Sequence, residues 1–450
     1  MSVKWKSADI RRWARERLLN KDSSPLINKS KGEKKPQDLQ ETSENSTSST
    51  FLKNLILNSK TGFDALREGE GRPSSDYSNS QCVVVYDSKD DDNGEEICRL
   101  TKTLGIKVFT SIGHSLKTSS IRPSMYFSED YVDSFLELIA ENNLALVIVD
   151  FPLNAGQIRN MEERLKVPVL DREGIVLAIF EEHASGHVAK IQIELAQMKY
   201  LSARLSGLWM GHSRQRGAKG GLGARGQGET QLEYDRRRVR QRIALLNRKL
   251  NKVAKNIRVQ SDRRKQLKRV SLLGYTNSGK STLLAALSQS EDLGSDQLFS
   301  TLESRTRLLQ PLTKPKILVS DTIGFINKLS PDLMASFRST LMESQESDFL
   351  LMLVDASHPL FLEHLRACQA LLKKLKLHDK PAFCVFNKMD LLKNESEKMR
   401  FKNFSARLHE VQDYQKLFWL SAKSKKEVSE LTLALGDVLK ASMTPWNNTL

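Results

Sequence analysis

Eight consecutive residues in the second half of the chain have the types and spacing to hold a phosphate group. Residues 274–281 read GYTNSGKS and match the pattern GxxxxGK[ST] at every fixed position. The run RVSLL before them is typical of a strand and KSTLLAALS of a helix, which is the order that the motif requires. Backbone N–H groups would wrap the phosphates, Lys280 would reach the β- and γ-phosphates, and Ser281 would bind Mg²⁺. The predicted phosphate loop is Gly274, Tyr275, Thr276, Asn277, Ser278, Gly279, Lys280 and Ser281.

A second group of residues could select the base. It comprises Asn387, Lys388, Met389 and Asp390 after the strand-like run FCVF, together with Ser421, Ala422 and Lys423. The Asp390 carboxylate would accept from the guanine N1–H and 2-amino groups, whereas adenine has neither donor and would leave the carboxylate unpaired. Asn387 would tie the base segment to the phosphate loop, Lys388 would cover the ring, and one N–H of 421–423 would reach guanine O6. These residues predict GTP and GDP as ligands instead of ATP.

Two segments between these motifs could respond to the γ-phosphate. Asp321, Thr322, Ile323 and Gly324 follow the strand-like run KILVS. Asp321 would hold Mg²⁺ through water, and the Gly324 N–H would contact the γ-phosphate. The run LFSTLESRTR at 298–307 lies where a switch loop belongs, and it adds Phe299, Ser300, Thr301, Leu302 and Glu303 to the predicted site. We expect Thr301 to be the second Mg²⁺ ligand after Ser281, with Thr306 as the alternative.

Two positions in these segments bear on hydrolysis. Phe325 stands directly after Gly324, where Ras-like GTPases carry a glutamine that orients water, and a phenylalanine cannot do this. Intrinsic hydrolysis is therefore expected to be slow, or to rely on another group or a partner. Asn277 occupies the place at which some GTPases hold a monovalent cation, so K⁺ is a candidate cofactor beside Mg²⁺. The alternative is an asparagine that only suits the turn.

Alternating strands and helices must position these residues. Apolar runs such as QCVVVYD and LALVIVDF alternate with amphipathic helices from 81 to 181, which predicts a parallel α/β domain. The alternation returns from 268 to 441, where RVSLLG, KILVSD, DFLLMLVD, PAFCVFN and LFWLSA are predicted strands. Between them, 182–267 holds two apolar stripes at helical spacing, joined by GAKGGLGARGQGE, which predicts an antiparallel helical hairpin. The fold class is therefore α/β, with two such domains separated by the hairpin.

The composition of the chain ends and the number of cysteines limit which classes of protein remain possible. Residues 1–80 are polar and predict a flexible extension, and 442–450 are a short tail. No apolar run reaches the ~18 residues of a membrane-spanning helix, so we expect no membrane insertion. The chain has four cysteines and no CxxC pair, which indicates a reducing compartment. We expect a monomer in the cytoplasm, with the mitochondrial matrix as the alternative because residues 1–19 are basic.

The positive charge of the chain lies in one segment. The 450 residues include 70 Lys and Arg against 54 Asp and Glu, a net charge of +16. Residues 201–269 alone hold 20 basic and four acidic residues, so the rest of the chain is neutral. A concentrated basic segment indicates a nucleic-acid partner, because neutralised phosphates release counterions. A solvated helix face is the alternative, but the acids that would balance it are missing.

The nucleotide motifs and the segment between the α/β domains resemble those of the HflX family, ribosome-associated GTPases of the translation-factor class. The resemblance lies in NAGQIRNMEERLKVPVLDREGIVLAIFEEHA, IQIELAQMKYLSARLSGL and GGLGARGQGETQLEYDRRRVRQRI, and it covers about residues 81–440. In that family the N-terminal domain and hairpin dock on the large ribosomal subunit, the Gly-rich loop reaches towards peptidyl-transferase RNA, and GTP-bound members split stalled ribosomes. The resemblance implies the same partners here, the large subunit and its rRNA. The expected RNA contacts are Arg214, Arg216, Lys219, Arg225, Arg236, Arg237 and Arg238.

Two other functions are compatible with these residues. One is a GTP-gated assembly factor that binds immature large subunits and leaves mature ribosomes intact. The other is an RNA-binding module whose nucleotide site only stabilises the fold.

Overall fold

A computed structural model gives the fold of both α/β domains and of the two helices between them. It describes residues 80–88, 94–114, 124–215, 227–262, 267–290, 305–311, 313, 316–322, 324–326, 333, 344–392 and 394–441. The predicted N-terminal extension, the C-terminal tail and the Gly-rich run at 216–226 lie outside these residues. The predicted domain limits therefore stay predictions.

The N-terminal domain is a four-stranded parallel sheet in the order β2-β1-β3-β4. Its elements are β1 (Gln81–Asp87), α1 (Glu95–Thr103), β2 (Lys107–His114), α2 (Glu129–Asn142), β3 (Leu146–Val149), α3 (Ala155–Leu165), β4 (Val169–Asp171) and α4 (Arg172–His183). The first strand lies inside the sheet because its successive residues 82–85 are all apolar and all buried. Continuous apolar strands of this kind need helices on both faces, as the sequence predicted.

Local sequence signals set where a helix of this domain begins. The Asn154 side chain accepts the Gln157 N–H at 2.9 Å, and the Gln157 side chain accepts the Asn154 N–H at 3.0 Å. This capping box satisfies two donors at the start of α3 that the helix itself cannot pair. Replacing such a cap costs on the order of 1 kcal/mol.

Two long helices form the predicted hairpin, α5 (His187–Gln215) and α6 (Gln227–Asp262). Ile191 and Leu195 of α5 pack on Leu246 of α6, with Met198, Ile243 and Leu250 against them. Arg242 and Glu194 form an ion pair across the helices at 2.5 Å. The sequence predicted a single buried stripe on α5, and the structure differs: Ile193, Gln197 and Tyr200 are buried as well. The first half of α5 is therefore covered on more than one side.

The C-terminal domain is a six-stranded sheet in the order β10-β9-β8-β5-β7-β6. Its strands are β5 (Lys268–Gly274), β6 (Arg305–Leu308), β7 (Ile317–Asp321), β8 (Phe349–Asp355), β9 (Ala382–Asn387) and β10 (Lys416–Trp419). Its helices are α7 (Lys280–Ser288), α8 (Phe361–Lys374), α9 (Glu395–Ser405) and α10 (Lys425–Ala441), with short 3₁₀ helices at Met389–Leu391 and His409–Val411. Leu272, Val319 and Leu351 of neighbouring strands are buried in one core with residues of α7 and α10. Burying one such side chain stabilises the fold by about 1.5–3 kcal/mol.

One strand of this sheet was not predicted. β6 pairs antiparallel with β7 at the edge of the sheet, and Arg305, Thr306 and Arg307 in it are exposed. The end of the predicted switch loop, 305–307, is therefore strand and not loop. A four-residue edge strand with the sequence RTRL has too little apolar pattern to be recognised, and it forms because β7 offers unpaired backbone groups.

The topology brings the nucleotide motifs to one edge of this sheet. β5 pairs in parallel with β7 and with β8, and β8 pairs in parallel with β9. β5, β7 and β9 therefore run in the same direction, and they end at Gly274, Asp321 and Asn387. Crevices at the carboxyl ends of parallel strands are where open α/β sheets bind ligands. Among the helices in the described part of the chain, none is long and apolar enough to cross a membrane.

Candidate functional site

The phosphate loop connects the end of β5 to the start of α7. Gly279 is the residue before the first turn of α7 and has a φ of +90°, a conformation that side chains rarely adopt. A Cβ atom there would lie 2.3 Å from Nδ2 of Asn387. Glycine at this position therefore serves both the turn and the close approach of the base segment. The helix N-terminus behind it favours an anion through its free N–H groups and its dipole.

Lys280 is folded back onto the loop that carries it. Its side chain is only 7% exposed, and Nζ donates to the carbonyl oxygens of Gly274 at 3.1 Å and Tyr275 at 2.8 Å. Burial lowers the pKa of this ammonium group, and the nearby Asp321 carboxylate opposes that shift. The two carbonyl bonds hold the ammonium at the loop, from which it can turn to phosphate oxygens.

Ser281 and Asp321 form the part of the site that fits a magnesium ion. Ser281 Oγ donates to Asp321 Oδ2 at 2.7 Å, which places a hydroxyl and a buried carboxylate side by side. Hard oxygen donors of this kind are what Mg²⁺ takes from a protein in phosphate-transfer sites. The neighbouring Thr322 is buried and donates to the Leu272 carbonyl oxygen at 2.7 Å, which anchors the segment to β5. The residues present therefore fit the ion.

The segment after Asp321 is clamped to the phosphate loop through the main chain. Phe325 N–H donates to Gly274 O at 3.0 Å, and Thr276 N–H donates to Phe325 O at 2.7 Å. Phe325 is only 4% exposed, so its side chain belongs to the core. A Cβ on Gly324 would lie 2.9 Å from Thr276 Cγ2 and 3.1 Å from Lys280 Nζ, so only glycine allows this approach. The Phe325 ring packs into the interior and does not orient a water.

Asn387 joins the base segment to two other parts of the site. Its Nδ2 donates to the Ser278 carbonyl oxygen at 2.8 Å, and its Oδ1 accepts the Ala422 N–H at 2.9 Å. The side chain is 2% exposed, so both bonds are shielded from water. The predicted tie between this residue and the phosphate loop is present in the structure.

The other residues predicted to contact the base follow β9 and β10. Asp390 is exposed in the 3₁₀ helix that follows β9, and Lys388 pairs with Asp355 at 2.8 Å. Of the three N–H groups at 421–423, Ser421 donates to Glu427 at 2.6 Å and Ala422 to Asn387. Lys423 N–H makes only a 3.3 Å contact with Ser421 Oγ. It is thus the N–H of the three best able to turn to guanine O6.

Several predicted residues lie outside the described part of the chain. They are Phe299, Ser300, Thr301, Leu302, Glu303 and Ile323 of the nucleotide site, and Arg216, Lys219 and Arg225 of the RNA-contact set. Arg214 lies in the last turn of α5. The alternative metal ligand, Thr306, lies in β6 with its hydroxyl 2.8 Å from Ser320 Oγ.

Three contacts of the site carry no motif and were missed from the sequence. Asp355 receives the Lys388 ammonium, Glu427 receives the Ser421 N–H, and His364 stacks on Tyr275. Asp355 ends β8, between the strands that end in the two motifs, so its position at the sheet edge could have indicated it. His364 has no such signal, because it reaches the site from α8, whereas Glu427 lies only six residues after Ser421, in the first turn of α10.

The arginines of α6 form a solvent-facing basic surface. Arg237, Arg238 and Arg240 are exposed, and Arg236 is half-buried. The guanidinium carbons of Arg237 and Arg238 lie 5.6 Å and 5.9 Å from the ring centroid of Tyr234, whose side chain is 46% exposed. We call Tyr234, Arg236, Arg237, Arg238 and Arg240 the basic face of α6.

A phosphate loop, a Ser–Asp pair that fits a magnesium ion, and the Asn387 segment tied to that loop, all at one sheet edge, are the arrangement of a P-loop GTPase. Three family models match the chain: "GTP-binding GTPase N-terminal" at 91–181, "GTP-binding GTPase Middle Region" at 183–264 and "50S ribosome-binding GTPase" at 269–388. The chain belongs to the HflX family of GTPases, as the sequence resemblance implied. It binds GTP and hydrolyses it.

Relatives in distant bacteria match most of the chain. The GTPase HflX of Alkalihalophilus pseudofirmus is 42% identical over 297 residues, 66% of this chain and 69% of that protein. The GTPase HflX of Chlamydia pneumoniae is 38% identical over 74% of this chain and 72% of its own length. That of Escherichia coli is 33% identical over 81% of this chain and 84% of its own length.

Proposed function

We propose that this GTPase binds the large ribosomal subunit through its N-terminal and helical region and dissociates stalled ribosomes in the GTP state. Hydrolysis to GDP then resets the protein. The observation that carries the proposal is the basic face of α6, a set of arginines within residues 201–269, outside which the chain has no net charge. Because the chain belongs to the HflX family, ribosomal RNA is the polyanion that we propose as the partner of this face.

The chemistry of the basic face fits RNA in two ways. Its arginines can neutralise several phosphates along the backbone, which gives most of the affinity in nucleic-acid complexes. Tyr234, half-exposed and near two guanidinium groups, is an aromatic ring on which an unpaired base could stack. Arg214, Arg216, Lys219 and Arg225 would extend this contact along the Gly-rich run, where glycines let the backbone approach RNA closely.

Each group of the nucleotide site has a role in this proposal. Lys280 binds the β- and γ-phosphates, and Asn387 and Asp390 hold the base. Ser281 and Thr301 are the proposed magnesium ligands, with Asp321 acting through water. When bound by these residues, the ion would offset the negative charge that develops on the phosphates during hydrolysis. Phe299, Ser300, Leu302, Glu303 and Ile323 are proposed to line the γ-phosphate side.

Asn277 is the proposed ligand for potassium. Its φ is +60°, it is exposed at the phosphate loop, and its Oδ1 lies 3.4 Å from the Lys388 ammonium, so this oxygen already faces a cation. We expect GTP to turn over about tenfold faster in KCl than in NaCl, since a bound cation adds charge stabilisation near the phosphates. Asn277→Ala should remove the difference while leaving the NaCl rate unchanged. Equal rates for the wild-type chain in the two salts would disprove the role.

The location and assembly state follow from the same proposal. A ribosome-splitting GTPase works where ribosomes are, so we place this chain in the cytoplasm, with the mitochondrial matrix as the alternative. We propose that it acts as a monomer.

The test of the ribosomal partner is GTP hydrolysis with and without purified large subunits. We expect subunits to raise the rate at least tenfold, because Phe325 leaves intrinsic hydrolysis without a water-orienting side chain. The double variant Arg237→Glu/Arg238→Glu should lose most of this stimulation and keep the subunit-free rate. Lys425→Glu/Lys426→Glu, the same two changes of sign at exposed lysines of α10, is the matched control. A wild-type rate that subunits do not raise would contradict the proposal.

An assembly factor is the second function that the basic face allows. Sucrose gradients separate the two, because a splitting factor with a non-hydrolysable GTP analogue should convert intact ribosomes into subunits. An assembly factor would leave mature ribosomes whole and sediment with immature large subunits. A nucleotide site that only stabilises the fold would give no stimulation by any ribosomal particle.

A further inference from the structure

A histidine outside the nucleotide motifs contacts the phosphate loop directly. His364 is the fourth residue of α8, and its ring stacks on that of Tyr275 with centroids 3.8 Å apart and planes within 6° of parallel. His358, just before α8, lies with its ring centroid 4.4 Å from that of His364. Its Nδ1 accepts the Leu360 N–H at 3.1 Å, which fixes the turn into the helix. The stack is thus supported from the α8 side.

Tyr275 connects this stack to two parts of the phosphate site, the Lys280 side chain and the Phe325 segment. Its carbonyl oxygen is the nearer of the two acceptors that hold Lys280 Nζ, at 2.8 Å. Its main chain lies opposite Phe325 in a parallel bridge, closed by the hydrogen bonds of Gly274 and Thr276 on either side. A shift of the Tyr275 ring would therefore move two things together: the carbonyl oxygen that holds Lys280 Nζ and the main chain that pairs with Phe325.

The same face of α8 borders the loop at a second point. Cys368 follows His364 by four residues, so the two side chains lie on one face of the helix. Cys368 is buried, and it is close enough to Lys280 for the two groups to influence each other's pKa. One face of α8 thus carries both the ring that stacks on Tyr275 and a buried thiol near Lys280.

We propose that His364 is a positioning residue for GTP hydrolysis, whose ring holds the phosphate-loop main chain at Tyr275 in the place from which Lys280 and the Phe325 segment act. Its importance follows from Phe325, because a site without a water-orienting glutamine depends more on the exact placing of the remaining groups. Misplacement by about 1 Å can cost a hundredfold in rate.

The experiment compares His364→Ala with His364→Phe in the full chain, using GTP hydrolysis without ribosomes. His364→Ala removes the stack and should lower kcat about tenfold, with KM for GTP within about twofold of wild type. A tenfold change in kcat corresponds to the usual interaction energy of an aromatic pair. His364→Phe keeps a flat ring and should restore kcat to within about twofold of wild type. Thermal unfolding of each variant is measured in parallel.

The matched control is Tyr126→Ala, which removes another stacked aromatic pair, Tyr126 with Phe151, from the N-terminal domain. It should lower the unfolding temperature without lowering kcat. The proposal is overturned by a wild-type kcat in His364→Ala, or by a change confined to KM. It is also overturned if the alanine and phenylalanine variants are equally slow, or if the loss of kcat is explained by the unfolded fraction.

Discussion

Lys280→Ala is expected to lower GTP hydrolysis at least a hundredfold while the chain stays folded. The ammonium group is the positive charge that the loop itself offers to the transferred phosphate, and removing one such stabilising donor costs on the order of 10²–10³ in rate. The fold should survive because the side chain bonds to loop carbonyl oxygens, and the buried Asp321 carboxylate keeps its hydrogen bond from Ser281. Single-turnover hydrolysis and binding of a fluorescent GDP analogue measure the two effects separately.

The matched control is Lys426→Ala, which removes an exposed lysine in the first turn of α10. It should hydrolyse GTP at the wild-type rate. If Lys280→Ala kept more than a third of wild-type activity, the phosphate loop would not be the site of hydrolysis. If it failed to fold, nucleotide binding would be lost with it, and circular dichroism would reveal this.

The parts of the site that the sequence predicted are those built from short contiguous stretches. The phosphate loop could be predicted because its function needs fixed residues within eight positions, and a strand and a helix must flank it. The link between Asn387 and that loop spans more than a hundred residues, but the strands preceding both motifs end at one edge of a parallel sheet. The parallel α/β pattern in the sequence therefore made this long-range contact predictable.

The parts that were missed depend on partners that no local pattern names. β6 forms because β7 has an unpaired edge, and its own residues alternate too weakly to indicate a strand. His364 is one of many polar residues on an amphipathic helix until the fold places it on Tyr275. Which N–H of 421–423 remains for guanine depends on Glu427 and Asn387, which take two of the three.

The hairpin shows the same limit for packing. The helical spacing of apolar residues predicted that a stripe on each helix faces the other, and in the structure Ile191 and Leu195 of α5 pack on Leu246 of α6. It did not predict that Ile193 and Tyr200 would also be buried, because spacing reports a helix's most apolar face and not how many neighbours cover it.

Asp390→Asn is expected to exchange guanine for xanthine as the preferred base. In GTP the base presents two donors to the carboxylate, whereas xanthine has a carbonyl oxygen in place of the 2-amino group and fits an amide donor. GTP affinity should fall about a hundredfold or more, since hydrogen bonds to a charged group contribute roughly 1.5–3 kcal/mol each. XTP should be hydrolysed at a rate near that of wild-type protein with GTP, because Lys280 and the Ser281–Asp321 pair are untouched.

Asn387→Ala tests the other function of the same segment and should give a different pattern. This side chain bonds to Ser278 O and Ala422 N from a buried position, so its loss leaves two polar groups unpaired and loosens the segment from the phosphate loop. We expect GTP and XTP binding to weaken together, with no exchange of base. Competition of GTP, XTP and ATP for a labelled nucleotide distinguishes the two results. If Asp390→Asn also lost GTP and XTP alike, Asp390 would hold the loop in shape and would not read the base.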